Sequence, residues 1–411
     1  MSIYRTQPQP SDDPATMSGE ILLRIGIALF AVVAPCAAVV SRRSLFVLLP
    51  VAALLMIIGS LLLPGAANLV LRNSRAALTR PLVILPILLL VWAGLSFVWT
   101  PFPALATERY LRTAGTILIT LVALGCLPVR LKAAYSNILP LGVLLASLAT
   151  IAVMLLAQQS RQPEVDGGDT LLRAVAGLVT LLWPAMMVLA TRERGALAGL
   201  LGVCGAGAAL LAGTQVALSA LLIGVAVFCA GFAATARVAK ILGAAIAALL
   251  LGAPIIMLAL DPLASRLEPN VFGLLHVWAE IVRSEGLKLI TGHGFDTALR
   301  AIGAGLLPAD APRGLLFEIW YELGLVGAGA FALLMWCAFT GAARLGRVTG
   351  SFLMGGIATV LTISIAGVSV SQLWWTTQLA GVALAFAVAM RTQAREVART
   401  PTLNQRPVLK I

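Results

Sequence analysis

The chain has 411 residues, of which 60% are hydrophobic and only 11% charged, with a formal net charge of +12 and mean hydropathy +0.98. Soluble domains carry roughly 25% charged residues, so this chain cannot cover a water-facing surface, and a water-soluble enzyme or binding module is excluded. A membrane barrel would alternate in polarity over strands of about ten residues, whereas the apolar runs here are unalternated and about twenty long, enough to cross hydrocarbon as helix. The fold class is therefore all-α: a polytopic integral membrane protein.

In chain order, residues 1–20 are polar, hold Pro8, Pro10, Asp12, Asp13 and Pro14, and lack the pattern of a cleaved leader. They are expected to form a disordered cytoplasmic tail. Nine apolar runs follow within 21–260, at 21–40, 44–64, 81–100, 114–129, 136–157, 172–190, 195–213, 216–235 and 238–260. Residues 261–314 form the longest connection, and three more runs occupy 315–338, 352–370 and 375–391 before a second tail, 392–411. Twelve runs predict twelve transmembrane helices with both termini on one side. Cys36, Cys126, Cys204, Cys229 and Cys337 all fall inside these runs without CxxC spacing, which reads as small buried hydrophobes.

With the termini inside, the inner segments hold 17 of the 29 Lys and Arg but only 5 of the 17 acids. Arg72, Arg75 and Arg80 share one inner connection, Arg130 and Lys132 the next, then Arg192 and Arg194, Arg237 and Lys240, and Arg344 and Arg347. Basic residues in short cytoplasmic connections set orientation. The positive charge thus belongs to topology and to anionic head groups, and nucleic acid is not an expected partner.

Two outer connections are long, 158–171 and above all 261–314. Within the second, Leu274, Leu275, Trp278, Ile281 and Val282 recur at helical intervals, with His276, Glu280, Arg283 and Glu285 between them. This predicts an amphipathic helix over 271–290 lying at the outer interface. Gly292, Gly294, Gly303 and Gly305, with Pro308 and Pro312, then break the chain into turns.

Three features together resemble the O-antigen ligase and Wzy-type polysaccharide polymerase superfamily. The first is the large outer connection between the ninth and tenth runs. The second is Trp278-Ala279-Glu280-Ile281-Val282 followed by Gly292-His293-Gly294-Phe295. The third is Arg313-Gly314-Leu315 and then Glu322-Leu323-Gly324-Leu325-Val326-Gly327. The resemblance implies a site on the outer side of a bacterial inner membrane. It also implies undecaprenyl-diphosphate-linked glycan as donor and a lipid or glycan as acceptor. The sequence departs from the family pattern where Arg313 and Gly314 stand in place of a motif His-Asn pair, and where Thr214-Gln215 replaces a Ser-Arg pair.

Moving a glycan off a lipid diphosphate requires charge stabilisation at the leaving group, which planar, always-ionised arginine does best. Arg173, resembling a substrate-contacting arginine of the family, and Arg313 are the first candidates, with Arg266 and Arg300 behind them. Such arginines also snorkel to head groups or pair with loop acids. His293, in the glycine turn, is the candidate base, and Glu322, the motif glutamate, could orient an arginine. His276 is expected to face head groups or water. Trp278, Trp320, Tyr321, Trp374 and Trp375 cluster at outer ends and read as an interfacial aromatic belt, with sugar stacking as the rival role for Trp278 and Trp320. No metal-ligand spacing or nucleotide-binding loop appears, so no cofactor is expected. The rival functional readings are a catalytically impaired partner in polysaccharide assembly or export, and a transporter.

Overall fold

The computed structural model describes residues 13–41, 43–77, 79–159, 167–264, 269–284, 286, 288–309, 311–366 and 372–397. Among them every element is a helix, and no strand forms. In chain order these are α1 (Pro14–Val40), α2 (Ser44–Leu61), α3 (Ala66–Ala77), α4 (Pro81–Val98) and α5 (Pro103–Cys126). Next come α6 (Ala133–Gln159), α7 (Gly167–Ala190), α8 (Gly195–Leu211), α9 (Gln215–Ala264) and α10 (Pro269–Ser284). The last are α11 (Lys288–Thr291), α12 (Thr297–Gly303), α13 (Leu315–Ala343), α14 (Arg347–Ala366) and α15 (Leu373–Val397).

Among the described residues, nine helices are long and apolar enough to cross a membrane: α1, α2, α4, α6, α7, α9, α13, α14 and α15. This is the build of a multi-pass membrane protein. The surface agrees, since Val98, Ile255, Leu222 and Val203 are each at least 69% exposed, while Thr150, Thr180, Ser351 and Thr359 are fully buried. α8 is apolar but only 17 residues long, and α5 opens with Glu108, Arg109 and Arg112. α9 runs for 50 residues, with a non-helical backbone at Ala234 (φ −145°, ψ 64°) joining two helices across a kink. That break sits where the sequence places the charged connection between its eighth and ninth runs.

Three expected boundaries move. α1 starts at Pro14, capped by the Asp13 carboxylate, so the polar segment expected to be disordered through residue 20 is helical from residue 14. Proline suits a first helical position because its missing N–H is not needed there. α15 continues to Val397, past the expected end of the last run. The amphipathic helix of the large connection ends at Ser284 instead of reaching 290. Residues 1–12 and 398–411, the outer parts of the two expected tails, lie outside the described residues.

Small residues let helices touch backbone to backbone, which is how helices associate when lipid is as apolar as the interface. A Cβ on Gly19 would lie 2.8 Å from the Gly59 carbonyl oxygen, joining α1 to α2, and one on Gly142 would lie 1.9 Å from that of Ala31, joining α6 to α1. Basic residues close helix ends as well as marking topology. Arg391 donates to the carbonyls of Leu124 (2.9 Å), Pro128 (3.0 Å) and Leu127 at the end of α5. Arg192 donates to the Ala133 carbonyl (2.7 Å), Ser136 Oγ (2.8 Å) and Asn137 at the start of α6.

Two large apolar cores result, with two small clusters besides. The larger gathers Leu23, Leu49, Leu139, Trp183 and Leu384 from the first helices and the last. The second joins Leu250 of α9, Trp278 of α10, Phe317 and Trp320 of α13, and Met354 of α14. α10 is amphipathic as expected, but its apolar face packs on protein: Val277, Trp278 and Ala279 are buried, with Ile281 and Val282 against the second core. On its other face Asp261 accepts from His276 Nδ1 (3.1 Å) and Arg283 Nη2 (2.6 Å), which fastens α10 to the end of α9. His276 is therefore tied to a carboxylate.

Candidate functional site

The large connection returns to the bundle through the turn Gly292–Asp296, which lies along the start of α13. Residues 319–323 form a π-turn inside α13, a local widening frequent at functional sites. The seam between turn and helix is made by backbone. His293 N donates to Tyr321 O at 2.8 Å and Gly294 N to Glu322 O at 3.0 Å. Gly292 has φ +74° and a Cβ there would stand 2.2 Å from Glu322 O; Gly324 has φ +62°, and its Cβ would stand 2.5 Å from Ile290 O. Both positions thus need glycine for conformation and for space.

Glu322 is the clasp of this seam. Its carboxylate, 5% exposed, accepts from Asp296 N (3.0 Å) and Ala298 N (3.1 Å) at the start of α12. The bonds hold Asp296 in a left-handed conformation, φ 62°, that a non-glycine residue adopts only when its surroundings impose it. The motif glutamate therefore anchors the loop, and among the described residues no bond joins it to an arginine.

Asp296 in turn organises two arginines. Its side chain is fully buried; Oδ1 lies 3.1 Å from Arg109 Nη1 and Oδ2 accepts from Arg300 Nε at 2.6 Å. Burial pushes its carboxyl above the ordinary aspartate value, against the pull of Arg109 and Arg300. Two cavities flank α12. One, of about 180 Å³, is lined by Ala298, Leu299, Ile302, Pro312, Arg313, Glu318 and Gln372. The other, of about 200 Å³, is lined by Leu105, Glu108, Arg109, Arg112, Arg300 and Leu373.

The residues singled out from sequence fall into three groups. Arg313 is exposed at the first cavity, its Nη2 3.4 Å from the Ala309 carbonyl, and Arg300 lines the second. Arg173 places its guanidinium 5.4 Å from the centre of the Trp374 ring. The start of α15 thus links all three, since Gln372, Leu373 and Trp374 are consecutive. His293 stands apart: its ring stacks on Tyr321 (4.0 Å between centroids) and Nδ1 donates to the Tyr321 carbonyl at 3.0 Å. Arg266 lies outside the described residues.

Trp278 packs edge-on to Phe317 (5.5 Å, 87°), and Trp320 Nε1 donates to the Leu250 carbonyl at 2.6 Å. With Tyr321, Trp374 and Trp375 they are all at most 7% exposed, so the five aromatics expected at a lipid interface pack inside the protein. Their polar atoms find partners there, as with Trp375 Nε1 to Ser364 Oγ at 2.8 Å. The space beside Trp278, Trp320 and His293 amounts to about 10 Å³, too little for a sugar ring.

The sequence assigns no role to Arg109, Arg112, Asp296 or Glu318. Arg109 and Asp296 are 187 positions apart in the chain and meet only in the fold. Among the described residues no group of three or more His, Cys, Asp or Glu could hold a metal ion. Comparison with family models, curated proteins and solved structures gave no match.

Proposed function

We propose that this chain is a divergent member of the O-antigen ligase and Wzy-type polymerase superfamily. In this reading it transfers a glycan from undecaprenyl diphosphate to lipid A–core or another glycan acceptor, at the outer face of a bacterial inner membrane. The observation that carries the reading is that Arg313 and Arg300 line two cavities reached by Gln372 and Leu373, while Arg173 lies 5.4 Å from the ring of the next residue, Trp374. The two sequence segments that carry the resemblance also lie against each other, from Gly292 to Asp296 and from Tyr321 to Gly324.

In such a transfer the acceptor oxygen bonds to the anomeric carbon as the carbon–oxygen bond to the diphosphate breaks. The leaving diphosphate keeps the electron pair, and guanidinium groups offset its charge. The acceptor's proton needs a base, and Glu318, 5% exposed and lining the same cavity as Arg313, is a carboxylate at hand. The reading counts α5, α8 and both halves of α9 as crossings, which brings the number to twelve and leaves both termini with the inner basic residues. A metal is not required, because the lipid diphosphate is already an activated leaving group.

Deleting the gene and separating envelope polysaccharides on a gel tests the reading: chain length or capping of a glycan should change, and complementation with Arg173→Ala or Arg313→Ala should fail although the proteins insert. Unchanged glycans on deletion would remove the reading and favour transport. One observation favours a second role, that of a non-catalytic partner in assembly: the His293 ring is stacked and bonded in a crevice away from both cavities. That role predicts altered glycans on deletion but full complementation by both arginine variants.

A further inference from the structure

A third cavity, of about 290 Å³, lies between the start of α1 and the start of α6 and shares no lining residue with the two beside α12. Glu20, Arg24, Lys132 and Tyr135 make its polar side, and Met17 and Ile21 its apolar side. Glu20 and Arg24 are four residues apart and so share one face of α1. Glu20 forms an ion pair with Lys132, the residue before α6, and its carbonyl accepts from the Tyr135 hydroxyl at 3.4 Å. Further along, Gly142 of α6 meets the backbone of Ala31 in α1, so the two helices leave the cavity side by side and in the same direction.

Charge at the cavity is unbalanced, since two cations face one carboxylate. The Lys132 ammonium has three donors, of which Glu20 takes one. Arg24 makes no bond to an acid among the described residues. It stands about three turns into a helix long and apolar enough to cross a membrane, where an uncompensated guanidinium is costly. The walls beyond the cations are apolar and open. Met17, Ile21 and Ile25, successive at four-residue steps on α1, are each at least 48% exposed, and Leu141, Leu145 and Leu148 of α6 at least 42%. A hollow with cations at one end and lipid-facing hydrocarbon at the other matches an amphiphile, whereas a soluble anion would use only the first part.

We propose that this cavity binds one anionic phospholipid, with Arg24 and Lys132 holding its phosphodiester and the exposed faces of α1 and α6 carrying its acyl chains. Basic pockets between membrane helices suit such head groups. The bound phosphate bridges α1 to the connection before α6, and the basic inner connections assign the lipid to the inner leaflet. The site is independent of the glycan-transfer reading and shares no residue with it.

The full chain in nonionic detergent should be titrated with phosphatidylglycerol, with phosphatidylcholine of the same acyl chains, and with glycerol phosphate as competitor, bound lipid being counted by native mass spectrometry. One phosphatidylglycerol should bind saturably, about tenfold more tightly than phosphatidylcholine, whose choline cation opposes the two side chains. Arg24→Gln and Lys132→Gln should each weaken binding about tenfold, by loss of a charge-assisted bond. Glu20→Gln should tighten it severalfold, because the carboxylate that competes for Lys132 is gone. Arg344→Gln, which removes one charge from a different basic connection, should bind as wild type. Arg24 has no acid partner among the described residues, so its variant decides the matter if Lys132→Gln fails to insert. Glycerol phosphate should not compete at millimolar concentration; competition at an affinity comparable to that of the lipid would overturn a lipid as the occupant. Equal binding of the two lipids, or phosphatidylglycerol binding within twofold of wild type in Arg24→Gln, would overturn the site.

Discussion

Glu318 and Glu322 sit four residues apart and are equally buried, yet they have different surroundings. Glu322 spends both oxygens on the amides of Asp296 and Ala298. Glu322→Ala should therefore strand two buried donors, each costing about 1–3 kcal/mol, and lower the melting temperature of the purified protein, while Glu322→Gln should lose less because its amide oxygen still accepts. Glu318 faces the cavity of Arg313, and Glu318→Gln is expected to insert normally and to slow transfer by about a hundredfold or more if it takes the acceptor's proton. Sequence reasoning could mark Glu322 through its spacing to Gly324 and Gly327, and could mark His293 through its flanking glycines. It could not assign their duties. Whether a carboxylate clasps a loop or faces a hollow depends on what crosses beside it, and Asp296 gave no local signal at all.

At the scale of elements, the loop seam depends on two backbone positions that no other residue fits. Gly292→Ala and Gly324→Ala each place a Cβ about 1 Å inside normal contact with a carbonyl oxygen and in a left-handed conformation that itself costs roughly 1–2 kcal/mol. Both variants should lose thermal stability, and limited proteolysis should cut the 261–314 connection faster than in wild type. Arg391→Ala should also lower stability by freeing three carbonyls at the end of α5. Each of the twelve apolar runs corresponds to helix in the described structure, because a run of lipid-compatible residues has few other ways to satisfy its backbone. α3 and α12 escaped notice for the opposite reason. Both are short, and α3 is polar as well, held by a tertiary bond from Asn73 Nδ2 to the Gly125 carbonyl at 2.9 Å. α10 was legible as amphipathic but not as packed on α9 and α13, since an apolar face does not disclose whether lipid or protein covers it.

The described residues form a membrane bundle with two large cores, and those of the 261–314 connection pack mainly on the second of them. Its arginines matter for the proposed transfer only if they and both cavities open to the side where lipid-linked glycans are used, away from the basic inner connections. A single cysteine at Arg313, exposed at its cavity, in a chain whose five native cysteines are replaced, reports this directly. A membrane-impermeant maleimide should label it in cells with an opened outer envelope and an intact inner membrane. Labelling only after the inner membrane is permeabilised would put the cavity on the cytosolic side and contradict the account.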